Sequence, residues 1–189
     1  MKLRDIAFVA IGCALLCVLA PLSIPIGAVP ITLATFVVYL IGAIYSPIKA
    51  TAAVALYVLL GLAGVPVFSG YKSGLAVLSG PTGGFIIGYI PAVLIQSILT
   101  TKFKEKKASY VFGIILGTIF IYGFGLAWFL ISTNGKYTFN QAMATCVYPF
   151  LIGDTVKLVV SVILGYRLRP YADKANDFSH YRSAKARRK

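Results

Sequence analysis

The sequence predicts an all-α, polytopic membrane protein with six transmembrane helices and both termini in the cytoplasm. Three observations carry that prediction. First, 59% of the 189 residues are hydrophobic and 12% are charged, with a mean hydropathy of +0.86, whereas soluble domains carry about 25% charged residues. Second, the apolar residues form continuous runs, not the short alternating segments of a β-barrel. A hydrocarbon core about 30 Å thick needs ~20 apolar residues per helix, and the length allows six. Third, lysine and arginine are sorted by side. With the N-terminus inside, fifteen of the eighteen fall in the cytoplasm, only Lys72 and Lys136 fall outside, and Lys157 lies in the bilayer.

The elements follow in order. A first helix covers residues 6–20, and Pro21, Pro25, Gly27 and Pro30 end it. The chain runs on toward a second span, so the first reads as a retained helix and not a cleaved signal. The second helix starts near Ile31 and stops before Ser46-Pro47, and the third covers 49–62. Residues 64–83 contain Gly64, Pro66, Gly70, Gly74, Gly80, Pro81 and Gly83. That is too broken for a helix and too apolar for an ordinary solvent loop. It reads as an ordered extracellular loop, with a helical turn near 75–78, of the kind that serves as a lid or binding loop. The fourth helix covers 84–99, the fifth 109–131 and the sixth 140–168. One six-helix domain (1–170) is followed by a basic cytoplasmic tail (171–189) that can meet anionic headgroups at about 1 kcal/mol per residue.

The formal charge of +13 is a topology signal by its placement and does not indicate nucleic-acid binding. Cys13, Cys17 and Cys146 lie in apolar segments at spacings that match no metal motif, and they suit buried small hydrophobes. No metal site and no cofactor are expected. Catalytic motifs are missing as well. The single histidine, His180, is in the tail, and there is no H-E-x-x-H, nucleophile elbow or Walker phosphate loop. Gly80-Pro81-Thr82-Gly83-Gly84 is a poor phosphate cradle, because its proline lacks an N–H and no lysine follows.

A binding site is the better reading. Asp154 and Lys157 sit i, i+3 on one face of the sixth helix. Ionisable groups at that depth are costly and usually turn toward a ligand or ion path, although a structural ion pair between helices is the alternative. Asp154 suits a pair of N–H donors, and Lys157 suits a carbonyl or carboxylate. Gly84 opens the fourth helix, whose outward N-terminus suits a polar ligand group. Tyr89, Tyr122 and Trp128 are candidates for an apolar wall, though core packing or an interfacial belt is the commoner role of such aromatics. Ala10/Ala14, Gly84/Gly88 and Gly113/Gly117 are small-x-x-x-small pairs that let helices approach.

Four motifs in order carry a resemblance: Val29-Pro30-Ile31-Thr32-Leu33, Tyr57 through Phe68, Gly80-Pro81-Thr82-Gly83-Gly84, and Gly153-Asp154-Thr155-Val156-Lys157. The chain resembles the biotin-specific S component (BioY family) of energy-coupling factor transporters. Ala34 departs from the family's pattern, which often has glutamine there. The resemblance implies a multi-pass plasma-membrane protein that captures biotin near the extracellular side. It further implies a T component and two ATPase subunits as partners, with Ala10 and Ala14 packing on the T component. Asp154 and Lys157 would take biotin's polar groups, with Ser79 and Gly84 beside the glycine-rich turn. Whether Lys157 serves the ureido carbonyl or the carboxylate stays open at this point. Rival readings are an S component for another vitamin, a structural scaffold, or an intramembrane enzyme, for which Gln96 is the one long polar residue available to face Asp154.

Overall fold

The computed structural model describes residues 3–103 and 106–176. His180, Lys2, Lys104 and the tail beyond Asn176 lie outside the described residues. Helix α1 (Leu3–Leu19) leads into a two-stranded hairpin, β1 (Ser23–Ile24) and β2 (Ile31–Thr32), paired Ser23 to Thr32 and Ile24 to Ile31. The hairpin takes up residues that the sequence assigns to the second helix. Pro30 has no N–H to donate, and the chain pairs as strand before it turns. Gly27, at φ +105°, is in the left-handed region that makes the return possible.

Helices α2 (Ala34–Ile44), α3 (Pro47–Leu62), α4 (Leu75–Ser79), α5 (Gly83–Lys102), α6 (Lys107–Ser132), α7 (Phe139–Cys146) and α8 (Tyr148–Asn176) follow. The six predicted segments correspond to α1, α2, α3, α5, α6 and the α7–α8 unit. Among the described residues, α5, α6 and α7–α8 are each long and apolar enough to cross a membrane, while α2 and α3 are shorter apolar helices. The 11 residues of α2 rise only about 16 Å. A helix that short, beside a hairpin, leaves room at one end of the bundle.

The last predicted helix is divided at Val147, whose ψ of −58° comes with a φ of −125°. Pro149 explains the division, since it cannot donate to the Thr145 carbonyl and crowds that turn. The capping box of Thr138 and Gln141 starts α7, the Thr138 N–H donating to Gln141 Oε1 at 2.9 Å. At the other end α8 runs past the expected stop near Leu168.

Small residues set the closest packing. A Cβ at Gly84 would collide with Trp128 and the Phe124 carbonyl, and one at Gly117 would lie 3.2 Å from the Ala92 carbonyl oxygen. Both Gly-x-x-x-Gly pairs therefore serve the α5–α6 contact. Polar side chains bind α5 to α2. Gln96 donates to the Tyr39 carbonyl at 2.6 Å and Thr100 to the Gly42 carbonyl at 2.8 Å. Cys13 and Cys146 are buried in the core.

Candidate functional site

Asp154 and Lys157 lie one turn apart on α8 and meet the start of α2. The Lys157 ammonium donates to the Thr32 carbonyl at 2.7 Å, to Thr35 Oγ1 at 2.9 Å and to Asp154 Oδ1 at 2.9 Å. Thr35 in turn donates to Asp154 Oδ1 at 3.3 Å, and the Tyr122 hydroxyl donates to Oδ2 at 2.6 Å. An ammonium has three donors, and all three are used. A carboxylate has about four acceptor positions, and protein donors take three, which leaves one on Oδ2 for a ligand. Charge is balanced within the pair, so the buried ions are mutually compensated and not isolated.

The pair opens on a cavity of about 320 Å³, in the range of roughly 300–1,000 Å³ usual for small-molecule sites. Tyr57 of α3, Phe85 and Tyr89 of α5, Tyr122 of α6 and Phe150 of α8 supply aromatic lining. The hairpin loop and the turn at 69–72 contribute the remaining wall. The 64–83 segment is ordered by named contacts. Phe68 is fully buried, Gly70 N–H donates to the Pro21 carbonyl at 3.0 Å, and Gly74 N–H donates to the Gly61 carbonyl at 2.7 Å.

Of the residues the sequence singles out, Asp154, Lys157, Tyr89 and Tyr122 share this one cavity, and Ser79 and Gly84 do not line it. Ser79 turns its hydroxyl back to the Leu75 carbonyl at 3.0 Å, the i−4 back-bond open to a helical serine. Gly84 is spent on the contact with α6. The Gly83 N–H donates to the Gly80 carbonyl at 3.1 Å, so the outward helix start holds less free donor capacity than expected. Thr82 is the residue of that turn in the lining. Trp128 holds the turn through its indole N–H on the Gly80 carbonyl at 3.1 Å and is not a wall residue. Gln96 is fully buried against α2 and takes no part in the cavity, which removes the partner an enzyme reading needs. Ala34 is in the lining, its N–H held by Thr32 Oγ1 at 2.8 Å. Ala10 and Ala14 are exposed on α1, opposite the buried Val9, Gly12, Cys13 and Leu16.

Among the lining residues to which the sequence reading gives no role are four polar ones, Thr32, Thr35, Ser69 and Lys72. Thr32 and Thr35 carry a legible signal, two hydroxyls three residues apart at the head of an uncharged segment. Lys72 carries another, a lone cation in an apolar, glycine-rich loop.

Comparison with known proteins gives a consistent result. The profile of the BioY family matches residues 1–174. The biotin transporter BioY of Thermotoga maritima is 37% identical over 167 residues, covering 88% of this chain and 96% of that one. The probable biotin transporter BioY of Pyrococcus horikoshii is 35% identical over 169 residues, covering 89% and 98%. The crystal structure of the S component for biotin from an ECF-type ABC transporter superposes with a TM-score of 0.82 at 26% identity, covering 89% of this chain and 92% of that one.

Proposed function

The chain belongs to the BioY family, and we propose on that premise that it is the biotin-binding membrane subunit of a vitamin uptake transporter. It is not an enzyme. The observation that carries the reading is the Asp154–Lys157 pair beside a cavity of small-molecule size with aromatic walls. Biotin has the matching chemistry. Its ureido ring offers two N–H donors and a carbonyl, its sulfur ring and alkyl chain are apolar, and its tail is a carboxylate. Asp154 accepts from a ureido N–H, Tyr89 and Tyr122 flank the apolar rings, and Lys157 holds the Asp154 carboxylate in place through its 2.9 Å contact with Oδ1.

The chain sits in the cell membrane and takes biotin from the extracellular side. Energy comes from a T component and two ATPase subunits, since no phosphate-binding loop is present in the sequence. The exposed Ala10 and Ala14 give α1 a flat face on which a T-component helix packs closely.

The test is a biotin titration of the purified protein in detergent. Asp154→Asn weakens binding about tenfold or more, the scale of a hydrogen bond to a charged group, while the protein stays folded. Unchanged affinity overturns the role of Asp154. A thermal-shift panel of vitamins separates biotin from the S-component alternative, because only the true ligand raises Tm with concentration.

A further inference from the structure

The Asp154–Lys157 pair is badly suited to the anionic end of a ligand. All three Lys157 donors are already held by protein acceptors, and one of those acceptors is the Asp154 carboxylate at 2.9 Å. A second carboxylate there would have to displace a partner and lie beside a like charge. The anion needs another place in the cavity.

We propose that Ser69 and Lys72 form that place, a carboxylate subsite on the turn between α3 and α4; the proposal rests on the biotin reading and assigns the vitamin's other end. Both residues line the cavity. The Ser69 hydroxyl is shielded from solvent yet has no hydrogen-bond partner, which is costly unless something else satisfies it. The Lys72 ammonium makes no ion pair among the described residues.

The turn holds these two groups in a defined position. The Phe68 N–H donates to the Lys72 carbonyl at 2.9 Å and the Gly70 N–H to the Pro21 carbonyl at 3.0 Å. Phe68 anchors the turn in the core, edge-on to Tyr57 with ring centroids 5.6 Å apart, over Gly61, where any Cβ would strike its ring. Gly70 and Tyr71 both adopt left-handed backbone, at φ 68° and 60°. For Tyr71 that costs about 1–2 kcal/mol. Such strain persists only where surrounding contacts over-determine it, and here the anchored Phe68 does so. The turn thus presents a hydroxyl and an ammonium three residues apart to one ligand group.

The experiment compares biotin with biotin amide, which keeps the rings and replaces the carboxylate by a neutral carboxamide. Wild-type protein should prefer biotin by about tenfold, the effect of a charge-assisted contact. In Lys72→Gln that preference collapses. Biotin weakens about tenfold while biotin amide changes less than about twofold. Ser69→Ala lowers the preference by about threefold. Raising salt to about 0.5 M narrows the wild-type preference and leaves that of Lys72→Gln unmoved. Lys72 is exposed, and an unchanged Tm of the variant without ligand confirms its fold. A Lys72→Gln protein that keeps the wild-type ratio overturns the subsite, as does a wild type that binds both compounds equally. A wild type that binds neither overturns the biotin reading instead.

Discussion

Helix α8 carries two buried ionic centres about 20 Å apart, and they behave differently. At one end Asp154 and Lys157 face a cavity. At the other Arg169, only 3% exposed, is enclosed. It donates to the Ala43 carbonyl at 2.9 Å, Thr100 Oγ1 at 3.0 Å and Thr101 Oγ1 at 2.7 Å, with Asp173 one turn on at 4.0 Å. Arg169 ties the ends of α2 and α5 to α8, and this contact carries α8 beyond Leu168. A charge buried in a membrane bundle is therefore not in itself a sign of ligand binding. What separates the two centres is the shape of the surroundings. Helix-end carbonyls and hydroxyls close around Arg169, whereas the short α2 and the hairpin leave an open side next to Asp154.

Removing one half of the Asp154–Lys157 pair strands its partner charge. Lys157→Met leaves a buried carboxylate without its cation, and stability should fall by about 3–5 kcal/mol, read as a loss of Tm in detergent. Adding Asp154→Asn to the same protein removes the orphaned charge and should recover more than half of that loss. A single variant as stable as wild type would mean that water already solvates the carboxylate, and the two ends of α8 would then differ in hydration and not in shape.

Arg169→Met makes the complementary test. The groups left behind are three neutral acceptors and the Asp173 carboxylate, which is 42% exposed and keeps its hydration, so the expected cost is smaller, about 2 kcal/mol. Biotin affinity of the folded protein should stay within about twofold, since Arg169 does not line the cavity. A tenfold loss of affinity would show that the enclosed end controls the open one through α2, which both ends touch.

Much of this was legible in the chain itself. Apolar run lengths and the Pro/Gly breaks between them carry the helix order, and the i, i+3 spacing puts Asp154 and Lys157 on one face. The failures share a physical cause. Ser79 and Gly84 follow from their place beside a motif and Trp128 from its aromatic ring, but whether a side chain points inward depends on which neighbour claims it. A backbone carbonyl claimed Ser79, α6 claimed Gly84, and the Gly80 carbonyl claimed Trp128. Arg169 looked like one more cytoplasmic cation because its partners, at Ala43, Thr100 and Thr101, are 126, 69 and 68 residues away in sequence. Composition cannot reveal contacts of that separation. The α7–α8 division is absent from the sequence reading, which runs one helix over 140–168, although Pro149 marks it.

The smallest expected effect tests how open the ligand-facing end is. Tyr122→Phe removes the 2.6 Å hydrogen bond to Asp154 Oδ2 and leaves Lys157 and Thr35 in place on Oδ1. Without ligand the variant should lose about 1.5 kcal/mol, the low end for a hydrogen bond to a charged group. With saturating biotin the deficit should shrink, because a ureido N–H can take the acceptor position that the phenol gives up. The enclosed centre offers no such replacement, so the deficit of Arg169→Met should be the same with and without biotin. Paired thermal-shift curves for the two variants measure both. A Tyr122→Phe deficit that biotin leaves untouched would mean that no ligand donor takes the position the phenol vacates, and the vitamin would then meet Asp154 only at the Oδ2 position already free in the wild type.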